Sequence, residues 1–202
     1  MHISAALKDA LAARGRASLV ATGGRSPGPV YDRLAEELLA WKDVTVTLSD
    51  ERCVAPDHAD SNAALVREHL LQAHAAAAKF LPLWPTPDVA ALATLQPFDV
   101  VMLGMGEDGH IASLIPGDPG LEDALITSDL LRAVPAGLGR PPVARITLTL
   151  SALLNARAIF LLISGGTKRE VLARALASGN LPVARLLSKA KAPVRILWSP
   201  EV

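Results

Sequence analysis

Six short apolar runs, each closed by turn residues and separated by stretches of helical spacing, constrain this chain more than any other feature. They are ASLVATGG (17–24), VTVTLSD (44–50), DVVMLGMG (99–106), ITLTL (146–150), AIFLLISGG (158–166) and VRILWS (194–199). Most are apolar on both faces, as a parallel sheet covered on both sides requires. Between them, residues 26–40 place Val30, Leu34 and Leu38 at helical spacing, behind Ser26 as predicted N-cap and Pro27 at the first helical position. Further helices are predicted over 61–74, over 168–178 with Thr167 and Glu170 spaced as a capping box, and over about 183–190. Stretches 81–97 and 116–145, marked by Pro and Gly, read as surface connections. Strand–helix alternation implies right-handed crossovers and an α/β fold. The expectation is one doubly wound, mostly parallel, Rossmann-like sheet with helices on both faces, in a single domain over 1–202.

Charge and composition narrow the partners. Twenty basic residues balance twenty acidic ones, with no basic tail or stripe. Aromatics make up 3% of the chain, too few for base-stacking platforms. Nucleic-acid binding is therefore not expected, because it needs clustered Lys and Arg. No apolar run is long enough to span a membrane. The N-terminal MHISAALKDALAARGR lacks a signal-peptide pattern, its apolar stretch being interrupted by Lys8 and Asp9. The single cysteine, Cys53, cannot form an intramolecular disulfide, which fits a reducing compartment and a cytoplasmic location.

Ligands of such sheets bind outside the carboxyl ends of the strands, and four segments fall there. Thr22-Gly23-Gly24-Arg25-Ser26-Pro27 joins a strand to a helix. Its glycines let backbone N–H groups approach an anion at a helix start, although an ordinary tight turn has the same composition. Ser49-Asp50-Glu51-Arg52, with Asp60-Ser61-Asn62 beyond it, offers a guanidinium able to bind phosphate in bidentate fashion; a solvated edge of local ion pairs is the competing reading. Gly104-Met105-Gly106-Glu107-Asp108-Gly109-His110, followed by Ile111-Ala112-Ser113-Leu114, forces an unusual backbone path directly after a strand. It places there a histidine able to take a proton from water. Gly165-Gly166-Thr167-Lys168-Arg169 puts a cation in the first turn of a helix, where the dipole disfavours it unless an anion binds. No metal-ligand spacing, phosphate-binding P-loop or serine nucleophile elbow is present. The formal G-x-G-x-x-G at 104–109 holds acidic residues, which suit a pyrophosphate poorly.

The order GGRSP, SDERCVAPDHADSN, LGMGEDGHIASLIPG, ARITLTLSALLNAR and GGTKREVL resembles the 6-phosphogluconolactonase family. That family sits within the larger group of glucosamine-6-phosphate and galactosamine-6-phosphate isomerases. The resemblance runs from about Ala17 to the C-terminus. It implies hydrolysis of 6-phospho-D-glucono-1,5-lactone in the pentose phosphate pathway, without cofactor or metal. By this resemblance His110 is the base that activates water and Asp108 orients it. Gly23, Gly24, Arg25 and Ser26 cradle the 6-phosphate with Arg52 and Lys168. Arg145 lines the pocket, while Asp50 and Glu51 support the loop and Arg52. Two alternatives stand beside it: a glucosamine-6-phosphate deaminase or sugar-phosphate isomerase, and a non-catalytic sugar-phosphate sensor. Relatives often carry a further strand and helix before the Ala17 strand, so a shortened sheet is expected. The oligomeric state is left between monomer and homodimer.

Overall fold

The chain is described by a computed structural model that covers residues 2–24 and 26–200. Its first half runs α1 (His2–Arg14), β1 (Ala17–Ala21), α2 (Gly28–Ala35), β2 (Val44–Leu48), β3 (Asp50–Arg52), α3 (Asn62–His69), β4 (Lys79–Phe80), α4 (Val89–Thr94) and β5 (Val100–Gly104). Its second half runs α5 (Leu121–Ile126), β6 (Leu131–Val134), β7 (Arg145–Leu148), α6 (Leu150–Leu154), β8 (Ile159–Ser164), α7 (Gly165–Ser178), α8 (Pro182–Lys189) and β9 (Val194–Ser199). Six strands form a sheet in the order β4-β2-β1-β5-β8-β9, and every neighbouring pair is parallel. The chain winds outward one way from β1 and the other way from β5. The strand order therefore reverses between those two, and an open crevice forms where it reverses.

Both faces are covered, as the apolar runs require. Leu19, Ala21 and Met102 point to one side and join Ile3, Leu7, Tyr31, Leu34 and Trp41 in a core. Val20, Val101 and Leu103 point to the other and join Leu161, Ile163, Val171, Val183 and Leu186. Each fully buried aliphatic side chain contributes roughly 1.5–3 kcal/mol relative to exposure. Among the described residues, no helix is long and apolar enough to cross a membrane.

Several sequence expectations need correction. A helix precedes β1: Ile3, Leu7 and Ala10 are buried at helical spacing, while Lys8 and Asp9, which interrupt the apolar pattern, face solvent. Helix α2 begins at Gly28 with Pro27 as N-cap, so Ser26 is not its cap. It buries Tyr31 and Leu34 with Val30 packed partly buried on the same core, so the expected stripe holds at Val30 and Leu34 and fails at Leu38, which is 78% exposed beyond the helix end. Helix α7 starts at Gly165 behind Ser164, which leaves Thr167 inside it rather than at a capping box. The ITLTL segment does not join the parallel sheet. As β7 it is the middle strand of a separate antiparallel sheet, β3-β7-β6, because its partner β3 leaves the large sheet after a single residue, Ser49. The stretches read as connections contain α4, α5 and β6.

Candidate active site

The crevice between β1 and β5 is flanked by the two glycine-rich loops that follow those strands. The loop after β5 is closed on itself: Gly106 N–H donates to the His110 carbonyl at 3.0 Å, and Gly109 N–H to the Gly106 carbonyl at 3.0 Å. Gly109 has φ of +79°, a conformation that glycine adopts without strain. Its carbonyl accepts from Val183 N–H at 3.2 Å, docking the loop on the start of α8. Within this frame His110 Nδ1 and Asp108 Oδ1 are 2.5 Å apart, and the same oxygen accepts from His110 N–H at 3.2 Å. A carboxylate only accepts, so Nδ1 carries the proton and the lone pair of the neutral ring lies on Nε2. The imidazole is 29% exposed, reachable by water yet held in one orientation. Burial works against the charge of Asp108. The hydrogen bond and charge of His110, with the loop amides, outweigh it and hold the carboxyl below its ordinary range. Gly106 lies against this pair: a Cβ there would overlap the His110 ring and stand 2.5 Å from Asp108 Oδ1.

Across the crevice, the loop after β1 carries Gly23, Gly24 and Ser26; Arg25 lies outside the described residues. Ser26 Oγ and Ser164 Oγ are 3.1 Å apart, which joins this loop to the N-terminus of α7 and so to the turn that bears Lys168. Gly23 packs against the side chain of Asn62, where a Cβ would find no room. Asn62 in turn donates from Nδ2 to the Asp50 carbonyl at 2.8 Å. The anion-type loop is thereby fixed against β3.

The two arginines of the small sheet are cross-strand partners. Arg52 on β3 and Arg145 on β7 are partners in antiparallel register, so their side chains leave the same face. Like charges directly opposite are destabilising unless an anion compensates them. Arg145 is 3% exposed, and burial, with Arg52 adding to it and Asp50 and Asp60 opposing, pulls its guanidinium below the ordinary value. Its Nη2 donates to the Pro141 carbonyl at 2.9 Å, and Arg52 Nη1 to the Asp60 carbonyl at 2.6 Å. The Nε of both arginines is buried with no hydrogen-bond partner among the described residues. Two cross-strand guanidinium groups, each with an unsatisfied donor, leave positive charge there that an anion could offset.

The acidic pair ahead of Arg52 is fully engaged. Asp50 Oδ1 accepts from Ser49 Oγ at 2.9 Å and Oδ2 from Ser113 Oγ at 2.6 Å, with Arg145 Nη1 at 4.0 Å. Glu51 accepts from the N–H groups of Arg52, Asn62 and Ala63 at 2.7 Å each and from Ser61 Oγ at 3.1 Å. It holds the N-terminus of α3 from a distance and anchors the segment between Arg52 and Ser61.

The structure thus brings His110 to Asp108, Ser26 to the start of α7, and Arg52 to Arg145, which Asp50 and Ser113 connect to the His110 loop. Sequence reasoning assigned no role to Tyr31, Thr22, Asn62, Ser113 or Ser164. Thr22, Asn62 and Ser113 lie inside the quoted motifs and Ser164 near the end of the 158–166 apolar run, whereas Tyr31 lies in none of them. Among the described residues, no group of three His, Cys, Asp or Glu side chains is placed to hold a metal ion. A cavity of about 400 Å³ bounded by Ala6, Arg14, Asp99, Arg157 and Phe160 lies at the opposite, amino-terminal end of β5 and β8. There Asp99 is already neutralised by Arg14 at 2.6 Å and Arg157 at 3.3 Å.

The chain is similar to known proteins over nearly its whole length. A 6-phosphogluconolactonase of Caulobacter vibrioides is 44% identical over 209 residues, spanning 96% of this chain and 88% of that protein. The Rhizobium meliloti 6-phosphogluconolactonase is 41% identical across 98% of this chain and 91% of its own. The crystal structure of a 6-phosphogluconolactonase from Shewanella baltica superposes with a TM-score of 0.91 at 41% identity, covering 98% of this chain and 90% of that one. The family model of glucosamine-6-phosphate isomerases/6-phosphogluconolactonase matches residues 1–198, and the chain belongs to that family.

Proposed function

We propose that this chain, acting as one domain, hydrolyses 6-phospho-D-glucono-1,5-lactone to 6-phosphogluconate. The observation that carries the reading is the 2.5 Å His110–Asp108 pair, set on a closed loop at the reversal point of the sheet. The loop after β1 is tied to the end of β5 through Thr22 and Gly104, and Ser113 links the segment after His110 to Asp50 and Arg145, whose cross-strand partner is Arg52. The kinship to proteins that bear this enzyme's name supports it.

In this mechanism the 6-phosphate rests on the backbone of Gly23 and Gly24, with Ser26, Arg25, Arg52 and Lys168 as further donors and Arg145 lining the pocket. Binding energy from this remote group orients the ring. His110 Nε2 takes a proton from water as its oxygen attacks the lactone carbonyl carbon. Asp108 keeps the required tautomer and balances the imidazolium that forms. When the tetrahedral adduct collapses, the C1–ring-oxygen bond breaks, and the imidazolium returns its proton to the departing oxygen. One water is consumed and His110 ends neutral, so no redox step arises.

A deaminase or isomerase would need a carboxylate poised to move a proton between adjacent carbons. Asp50 and Glu51, 4% and 2% exposed, have their oxygens engaged by serine hydroxyls and backbone amides, which favours lactone hydrolysis over that chemistry. A sensor needs no oriented base. The test follows lactone loss through coupled NADPH production, with the spontaneous rate subtracted, in wild type and His110→Ala. Wild-type turnover lost in the variant is expected, by about 10²–10⁴-fold for a general base. Equal rates in a folded variant would remove His110 from the mechanism.

A further inference from the structure

We propose that Tyr31 and Thr22 form a positioning unit that sets the anion-type loop at a fixed distance from the His110 loop, and so tunes preference for the phosphorylated substrate. The inference rests on the proposed lactonase reading and deepens it. Tyr31 is wholly buried on α2, the helix that follows the loop. Its hydroxyl accepts from Thr22 N–H at 2.8 Å and donates to the Thr22 carbonyl at 2.7 Å. One side chain thus satisfies both polar groups of the loop's first residue and ties the loop's exit to its entrance. Burial pushes the Tyr31 hydroxyl well above its ordinary value, so it keeps its proton and both bonds.

Thr22 carries the tie across the crevice. The last ladder pair between β1 and β5 is Val20–Val101. At that point Thr22 Oγ1 accepts from Gly104 N–H at 3.2 Å, where a backbone carbonyl would serve if the ladder continued. Gly104 is the last residue of β5, directly ahead of the segment bearing Asp108 and His110. The phosphate-facing loop and the catalytic loop therefore share one fixed residue. The lactone carbonyl and the 6-phosphate are joined covalently, so their two subsites must keep a matching separation.

The experiment compares kcat/KM for the phosphorylated lactone with that for unphosphorylated glucono-1,5-lactone in wild type, Tyr31→Phe, Thr22→Val and Thr22→Ser. Near-UV circular dichroism and a melting curve confirm the fold of each. Losing the tie should lower the phosphorylated-to-unphosphorylated ratio about tenfold in Tyr31→Phe and Thr22→Val, with Thr22→Ser restoring it. Should Tyr31→Phe fail to fold, Thr22→Val, which leaves both Tyr31 bonds in place, decides the matter. An unchanged ratio, or an equal fall for both lactones, overturns the proposal. Calorimetry with inorganic phosphate separates it from the lactonase reading: weaker binding in the two variants supports the tie, and unchanged binding overturns it, whether or not wild type turns over the lactone.

Discussion

Gly106 and Gly104 lie two residues apart in one glycine-rich motif, yet the structure assigns opposite consequences to adding a methyl group at each. At Gly104 the nearest atoms to an added Cβ are Thr22 Oγ1 at 3.8 Å and the Gly23 carbonyl at 3.9 Å, ordinary contacts. At Gly106 the Cβ would fall on the His110 ring and stand 2.5 Å from Asp108 Oδ1. Ordinary carbon contacts begin near 3.5 Å, so the pair must retreat by about 1 Å. A misplacement of that size costs about 10²-fold in rate, or about 2.7 kcal/mol of transition-state stabilisation. Both displaced side chains have solvent to move into, His110 being 29% and Asp108 46% exposed, so the fold should absorb the change. Gly106→Ala is expected to lose about 100-fold in kcat/KM with little change in melting temperature. Gly104→Ala should stay within about threefold of wild type, since no contact is compressed. The coupled assay with blank subtraction reads both. If the two variants behave alike, or Gly106→Ala keeps more than about a third of wild-type activity, the close packing of Gly106 on the dyad does not govern the chemistry.

Glu51→Gln leaves one acceptor oxygen and turns an amide NH2 toward N–H donors of Arg52 and Asn62 or of Ala63. Buried at 2% exposure, this exchange should cost about 2–4 kcal/mol, and at about 2–4 °C per kcal/mol for a chain of this size it lowers the melting temperature by about 5–15 °C. A shift under about 2 °C in a thermal melt would count against the remote cap. Asp108 is held below its ordinary range in the folded state, so its stabilisation is present above the unfolded value of about 3.9 and is lost as pH falls through the folded one. Wild type should therefore melt above Asp108→Asn at pH ~5 and converge with it toward pH ~2. A gap that widens on acidification would sink that account.

The features legible in the sequence are those with local causes. Consecutive apolar residues in β1, β5 and β8 can be accommodated only between two covered faces. Three glycines around an acidic residue and a histidine, placed directly after such a strand, point to the His110 loop without any knowledge of the partner strands. In α2 the expected stripe holds at Val30 and Leu34 but not at Leu38, because the helix ends at Ala35; with only eight residues and two turns, the pattern did not reveal the buried Tyr31 beside it. The small antiparallel sheet escaped for another reason. Its strand β3 follows β2 after Ser49 alone, so the apolar pattern shows one continuous run where the chain in fact changes sheets.

The facing of Arg52 and Arg145 is the least legible feature and the most telling chemically. From its own segment Arg52 reads either as a phosphate ligand or as part of a solvated edge, and Arg145 is placed in the pocket only by the family resemblance. Only the register between β3 and β7 sets them opposite each other, and only the burial of Arg145 turns that proximity into a cost. Asp50 offsets part of it, but at 4.0 Å, and with both oxygens already held by Ser49 and Ser113, it cannot neutralise two guanidinium groups. A fold selected for stability alone would replace one of the pair with an apolar residue of similar volume. In the proposed function a bound phosphate would offset that cost by bringing negative charge to the pair. The same argument explains why the supporting acids are locked in place. In the proposed function, an Asp50 or Glu51 free to swing toward the arginines would compete with the substrate for them, and the serines and amides around each carboxylate hold it away.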